Sequence, residues 1–189
     1  MLSYLKQYAP LTAEAERDLT TMVQSLHKKK GSFLVKEGQA ISCLFLLTKG
    51  LVCSFYRKGT TEITQWFSIE GENVAATHSL YDQQPSHEYI ECLEDCDFLY
   101  LAGSDINALC ERYNCFNTIY RKLIEEYCKI IENRLFSMQT MSAQERYLLL
   151  LKQRPQLVQR VPLGYIASYL GISQETLSRV RERISRLAD

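Results

Sequence analysis

The hydrophobic period of this chain switches to strand-like runs at Ser32 and back to helical spacing after Leu101, and those changes limit the folds open to it. From Ser32 to Leu101 the apolar residues fall in short β-rich runs: Phe33–Val35, Cys43–Leu47, Leu51–Tyr56, Glu62–Ile69, Asn73–Ala76, Tyr89–Leu93 and Asp97–Leu101. Gly31, Gly38, Gly50, Gly59 and Gly71 punctuate them, and Lys58-Gly59-Thr60 reads as a hairpin tip between two alternating runs. Short strands at this spacing predict an antiparallel sandwich or barrel, here a jelly roll followed by helices. Phe116 to Ser142 contains neither Gly nor Pro and predicts one long helix. Its apolar residues form two seams with alternating spacings of three and four. One is Phe116, Tyr120, Leu123, Tyr127 and Ile130; the other is Ile124, Cys128, Ile131, Leu135 and Met138. A helix over 116–142 makes a rod of about 40 Å, longer than a domain of this size covers. One seam is expected to cover the jelly roll and the other to meet a second copy of the chain. The expected class is α+β.

Shorter helices flank this frame. One is read over residues 12–27, with Thr12 as cap, Glu14, Glu16 and Asp18 at the positive end of its dipole, and Leu19, Met22, Val23 and Leu26 as one stripe. Lys28-Lys29-Lys30-Gly31 is read as its solvated end. Ser104 caps a helix through Arg112. Another spans Ala143–Gln153, with the stripe Tyr147, Leu148 and Leu151 and a stop at Arg154-Pro155; Ser142 or Ala143 is the hinge before it.

Composition excludes several classes of protein. The 189 residues are 46% hydrophobic and 23% charged, ordinary globular usage that rules out wholesale disorder. No apolar run approaches a membrane span, and MLSYLKQYAP lacks the layout of a signal peptide, so a cytoplasmic protein with no membrane partner is expected. The seven cysteines are odd in number, scattered and without a C-x2-C pair, which favours reduced, packed thiols over a metal or iron–sulfur site. His27, His78 and His87 form no H-x-H pair, and no nucleophile set or phosphate-cradling glycine loop appears. No catalytic residues, no metal and no enzyme activity are expected.

Zero net charge hides an asymmetry. Residues 1–143 hold 14 Lys and Arg against 18 Asp and Glu, a balance of −4, whereas residues 144–189 hold 8 against 4, a balance of +4. Within that basic end, Pro162 opens a helix with apolar residues Leu163, Ile166, Ala167 and Leu170 at i, i+3, i+4 and i+7. Gly171 suits the left-handed turn that ends it, Ile172 packs inward, and Ser173 caps the next helix. That helix has the inner stripe Leu177, Val180, Ile184 and Leu187, opposite Glu175, Ser178, Arg179, Glu182 and Arg186. Two helices joined by a glycine turn, with arginines on the outer face, predict a helix-turn-helix that binds double-stranded DNA.

The segment Leu170-Gly171-Ile172-Ser173-Gln174-Glu175-Thr176-Leu177-Ser178-Arg179 closely resembles the recognition-helix signature of Crp/Fnr-type bacterial transcription regulators, commonly LG(V/I)SRETVSR. The order of jelly roll, long helix and helix-turn-helix is similar too. The resemblance implies a cyclic-nucleotide-binding-domain-like sensor over 1–115, a dimerisation helix over 116–142 and a DNA-binding domain over 143–189. The last is winged-helix-like with a reduced wing, since the chain ends soon after the recognition helix. It implies a homodimer on a pseudo-palindromic operator, with RNA polymerase as a further partner. By resemblance Glu175 and Arg179 read bases; arginine fits guanine O6 and N7, and a carboxylate accepts from cytosine N4. Gln174 replaces a common Arg, which shifts preference at one base pair. Ser173, Thr176 and Ser178 are candidates for phosphate contacts, joined by Arg183 and Arg186 along the same helix.

In the cyclic-AMP branch of that family, a glycine–glutamate turn and a later arginine hold the cyclic phosphate. The corresponding residues here are Ala75 and Ala76, and Ser86 or His87, and no Lys or Arg occurs between Lys58 and Arg112. A cyclic phosphate would lack its bidentate guanidinium partner, so cyclic AMP is not expected as effector. Trp66, Ala75, Ala76, His78, Ser86 and His87 are candidate lining residues for some other, unidentified small molecule. The alternative function is a ligand-binding or protein-interaction module with a degenerate helix-turn-helix.

Overall fold

The computed structural model describes residues 1–188, with side chains through Arg186. The strands are β1 (Gln24–Lys28), β2 (Phe33–Val35), β3 (Cys43–Lys49), β4 (Val52–Lys58), β5 (Thr61–Ser68), β6 (Asn73–Val74), β7 (Tyr89–Cys92) and β8 (Cys96–Ala102). The helices are α1 (Leu2–Lys6), α2 (Ala13–Met22), α3 (Thr77–Asp82), α4 (Gly103–Arg112), α5 (Asn114–Thr140), α6 (Ala143–Gln153), α7 (Pro155–Arg160), α8 (Leu163–Tyr169) and α9 (Gln174–Ala188). The strands form two four-stranded sheets, ordered β1-β8-β3-β6 and β2-β7-β4-β5. This is the jelly-roll arrangement that the short, glycine-punctuated runs predict.

The described chain falls into two compact units: Met1–Ser54 with Phe67–Tyr127, and Phe55–Trp66 with the chain from Cys128 onward. In the first unit, β3 pairs antiparallel with β8, with a register shift between Leu47 and Lys49. Gly50 turns the chain beyond that shift at φ +101, and a Cβ there would stand 2.6 Å from Asp95 O and Cys96 Sγ. No side chain fits that approach. Beside the sheets, Leu5, Leu19, Leu46, Leu101, Ile106, Leu109, Phe116 and Ile119 form part of one apolar cluster, which joins α1, α2, α4 and the start of α5 to β3 and β8.

Several local expectations need correction. The first helix ends at Met22, and Gln24–Lys28 is a strand paired residue for residue with Tyr100–Cys96. Leu26 fits a helical stripe and a strand equally well, so pairing with β8 decides. Thr12 does cap α2, accepting from Ala15 N–H at 3.2 Å. The lysine run lies outside that helix; Lys29 Nζ and the Lys30 N–H both bind the Asp95 carboxylate, at 3.2 and 2.9 Å. Ala102, not Ser104, stands at the start of α4. The long helix runs over Asn114–Thr140, so Ser142 falls outside it and caps α6 instead. Ser142 Oγ accepts from Glu145 N–H at 3.3 Å, and the Glu145 carboxylate accepts from Ser142 N–H at 2.7 Å. Pro155 stops α6 but also opens α7, where its missing N–H costs nothing. All seven cysteines are free thiols; Cys53, Cys92 and Cys96 are buried, whereas Cys128 is exposed on α5.

Candidate nucleic-acid interface

In the second unit, α8 and α9 pack through Ile166, Ala167, Leu170 and Leu177, all buried. Val180 and Ile184 are half-buried on the same stripe, while the side chain of Leu187 lies outside the described residues. The turn closes by a Schellman motif: Ile172 N–H donates to Ala167 O and Gly171 N–H to Ser168 O, both at 3.0 Å. Gly171 sits at φ +67, the left-handed conformation such a turn requires. Ser173 Oγ then accepts from Thr176 N–H at 3.2 Å and lies 3.1 Å from Thr176 Oγ1. The side chain that caps α9 is thus partly engaged within the chain.

The expected DNA-reading residues lie together on α9 and the residue before it. Ser173, Gln174, Glu175, Ser178, Arg179, Arg183 and Arg186 are exposed, and Thr176 is half-buried. Arg179 Nε donates to Glu175 O at 3.5 Å, one helical turn back. The Glu175 carboxyl is held below its ordinary value, chiefly by the Ser173 side-chain hydrogen bond, with its own backbone N–H and the Arg179 charge adding. It is therefore an acceptor at neutral pH, beside a guanidinium donor, and the two can address adjacent base edges.

The same unit includes the tip of the β4–β5 hairpin. Ser168 Oγ, on α8, accepts from Thr64 N–H at 2.9 Å and donates to Glu62 O at 3.1 Å. Arg134 Nη2 donates to Thr64 O at 3.4 Å and Tyr169 O at 3.1 Å, with its guanidinium 4.0 Å over the Tyr169 ring. These clasp residues escaped the sequence reading. Arg134 lies four residues beyond Ile130, where the first seam would continue, and a charge at that position was the available signal.

In the first unit, His78 and His87 are exposed, their rings edge to face at 4.7 Å. Ala76 and Ser86 are buried, and Ala75 packs against the apolar cluster. Ser86 is held by its own backbone, exchanging hydrogen bonds with Gln39 O and Gly38 N–H at 2.8 Å each. Its hydroxyl bridges Glu88 O and Glu88 N–H at 3.0 and 3.1 Å. Glu88 is only 6% exposed and its carboxylate accepts from the Ser54 hydroxyl. That buried acid had no sequence signal. Trp66 lies half-buried in the other unit. Among the described residues no group of three or more His, Cys, Asp or Glu is placed to hold a metal ion, and no helix is long and apolar enough to cross a membrane.

Residues 25–113 match the cyclic nucleotide-binding domain family. The chain shares its fold with FixK2 from Bradyrhizobium japonicum at 16% identity and TM-score 0.74, over 88% of this chain and 86% of that one. It is similar to a transcriptional regulator of the crp/fnr family from Eubacterium rectale at 15% identity and TM-score 0.72, over 95% and 88% of the two chains. The catabolite activator protein of Thermus thermophilus is 23% identical with TM-score 0.58, over 98% and 88%. Among curated proteins none matches the chain.

Proposed function

We propose that this protein is a sequence-specific DNA-binding transcription regulator, acting as a cytoplasmic homodimer on a pseudo-palindromic operator and carrying no enzyme activity. The observation that carries this reading is the outer face of α9, where Glu175 and Arg179 stand exposed one turn apart behind a capped glycine turn. Arg179 reads a guanine, Glu175 a neighbouring cytosine, and Gln174 biases the adjoining pair. Ser173, Thr176, Ser178, Arg183 and Arg186 fix the helix against phosphates. The division of labour is a sensor over 1–115, a dimerisation helix over 116–142 and a reader over 143–189, with RNA polymerase as a further partner.

The sensor does not take cyclic AMP. Its cassette offers no Lys or Arg from Gly59 to Glu111, so a cyclic phosphate would lack its bidentate guanidinium partner. If an effector enters there, His78 and His87 are the side chains to meet it.

Selection of binding sites from random duplexes by the purified protein tests the reading. The expected result is a two-fold site with half-sites about 34 Å apart and a specificity of ~10³ or more over random DNA. Arg179→Ala should weaken the selected site by about 1–3 kcal/mol and relax one base pair. Equal affinity of variant and wild type on that site would remove Arg179 from the interface.

A further inference from the structure

The carbonyl end of α8 is closed from two sources. The Schellman bonds of the turn occupy Ala167 O and Ser168 O. The next two carbonyls accept from arginines on α5 and α6: Tyr169 O from Arg134 Nη2 and Leu170 O from Arg146 Nε, both at 3.1 Å. Arg146 also donates from Nη1 to Met141 O at 2.6 Å, so one guanidinium spans from the break between α5 and α6 to the end of α8. Packing follows the same line, since a Cβ on Gly171 would stand 2.8 Å from Met138 Cε, in the last turn of α5. All of these residues belong to the second unit.

The sequence marks Ser142 or Ala143 as a hinge, and these contacts bridge it. A cation suits a helix C-terminus, where the carbonyls together carry roughly half a negative charge. Hydrogen bonds from an ionised donor are about twice as strong as neutral ones, and the planar guanidinium fork holds its acceptors in fixed directions. The core of the α8–α9 motif is built from the side chains of Ile166, Ala167, Leu170 and Leu177, whereas the arginines hold only its backbone. Losing the arginines therefore frees the motif from α5 without opening the motif itself.

We propose that Arg134 and Arg146 are positioning residues for DNA reading: they fix the α8–α9 motif to the end of α5 and thereby set the one half-site spacing that a dimer accepts. The inference rests on the DNA-binding and dimer readings above. A spacer changed by one base pair moves a half-site by about 3.4 Å and turns it by about 35° around the duplex. A motif held on α5 cannot follow that movement, and a motif on an open hinge can.

Two measurements on the full chain test it, one of them without DNA. With 13C-methyl methionine, an Overhauser effect between the Met138 methyl and Gly171 Hα is expected in the wild type and is lost in Arg146→Gln, while thermal unfolding stays cooperative. On duplexes with the selected half-sites and a spacer varied by one and two base pairs, the wild type should prefer its own spacing by about tenfold or more, and Arg134→Gln and Arg146→Gln should reduce that preference to about threefold or less. Their affinity for a duplex with a single half-site should stay within about twofold of wild type. Arg179→Ala should do the reverse, weakening half-site binding while keeping both the spacing preference and the Overhauser effect. If Arg146→Gln does not unfold cooperatively, Arg146→Lys decides, since it keeps the charge without the fork that spans Met141 O and Leu170 O. An Overhauser effect retained in the Arg146 variant overturns the proposal, as does a spacing preference retained in both arginine variants. A single-half-site affinity that falls in step with the spacing preference also overturns it, by reducing the arginines to a structural role. A wild type that selects no two-fold operator overturns the spacing claim together with the reading beneath it, and the methyl signal alone then reports whether the arginines hold the turn on α5.

Discussion

The two halves of α5 carry the same alternating three-and-four spacing and meet opposite fates. In the first half, Phe116 is 5% and Ile119 2% exposed, and Tyr120 and Leu123 pack against the same cluster. In the second half, Ile130 is 65%, Leu135 56% and Phe136 57% exposed, with Ile131 and Met138 beside them. Large apolar side chains left contiguous on one helix are uncommon on a chain that works alone. The two seams predict a division by face, with one covering the jelly roll; the burial divides by half instead, and Tyr127 and Ile130 of that first seam are 40% and 65% exposed. This contrast supports the proposed dimer.

The largest effect that could break the contrast is in the buried half. Phe116→Ala should cost about 3–5 kcal/mol in chemical denaturation, because it empties a packed site; a loss under about 1 kcal/mol would erase the distinction between the halves. Next, Leu135→Asp should leave the stability of a single chain within about 0.5 kcal/mol while converting dimer to monomer in sedimentation. A wild-type protein that sediments as a monomer at micromolar concentration would defeat the proposed interface. Smaller again, Ser142→Ala removes the cap at the start of α6 and should cost roughly 1 kcal/mol in the melting of the chain.

The smallest effect is on pH. The Glu145 carboxyl is held below its ordinary value by the Ser142 N–H and then by the Ser142 hydroxyl. A depressed folded pKa contributes stability above the unfolded value, and that contribution disappears as pH falls through the folded one. The protection factors of amides in the first turn of α6, measured against the intrinsic exchange rate at each pH, should therefore fall on acidification below the ordinary carboxylate range, and Glu145→Gln should remove that dependence. An acid response unchanged in Glu145→Gln would assign it to other groups.

Much of the architecture was legible because it is written in local chemistry. The Gly171–Ser173 turn, the boundaries of α6 and the strands β2 and β7 follow from glycine conformational freedom, caps and short β-rich runs. At the candidate site, the exposed face of α9 followed from helical periodicity alone. Ile119 was within reach too, since Phe116, Ile119 and Leu123 also alternate by three and four, but the reading followed Tyr120 instead. Gln24–Lys28 was not, because its five residues favour no structure strongly until β8 offers a ladder.

The sequence by itself determined the periods, the turns and the chemistry of the α9 face, all of which depend on residues within a few positions of one another. Only the tertiary structure decided that Glu88 is buried against Ser54, that Arg134 and Ser168 hold the hairpin tip, and which half of α5 stays uncovered. Those outcomes depend on partners 34 to 106 positions apart, as for Glu88 with Ser54 and Ser168 with Glu62. Burial and pairing at such separation are set by how whole elements meet, and no local pattern encodes them.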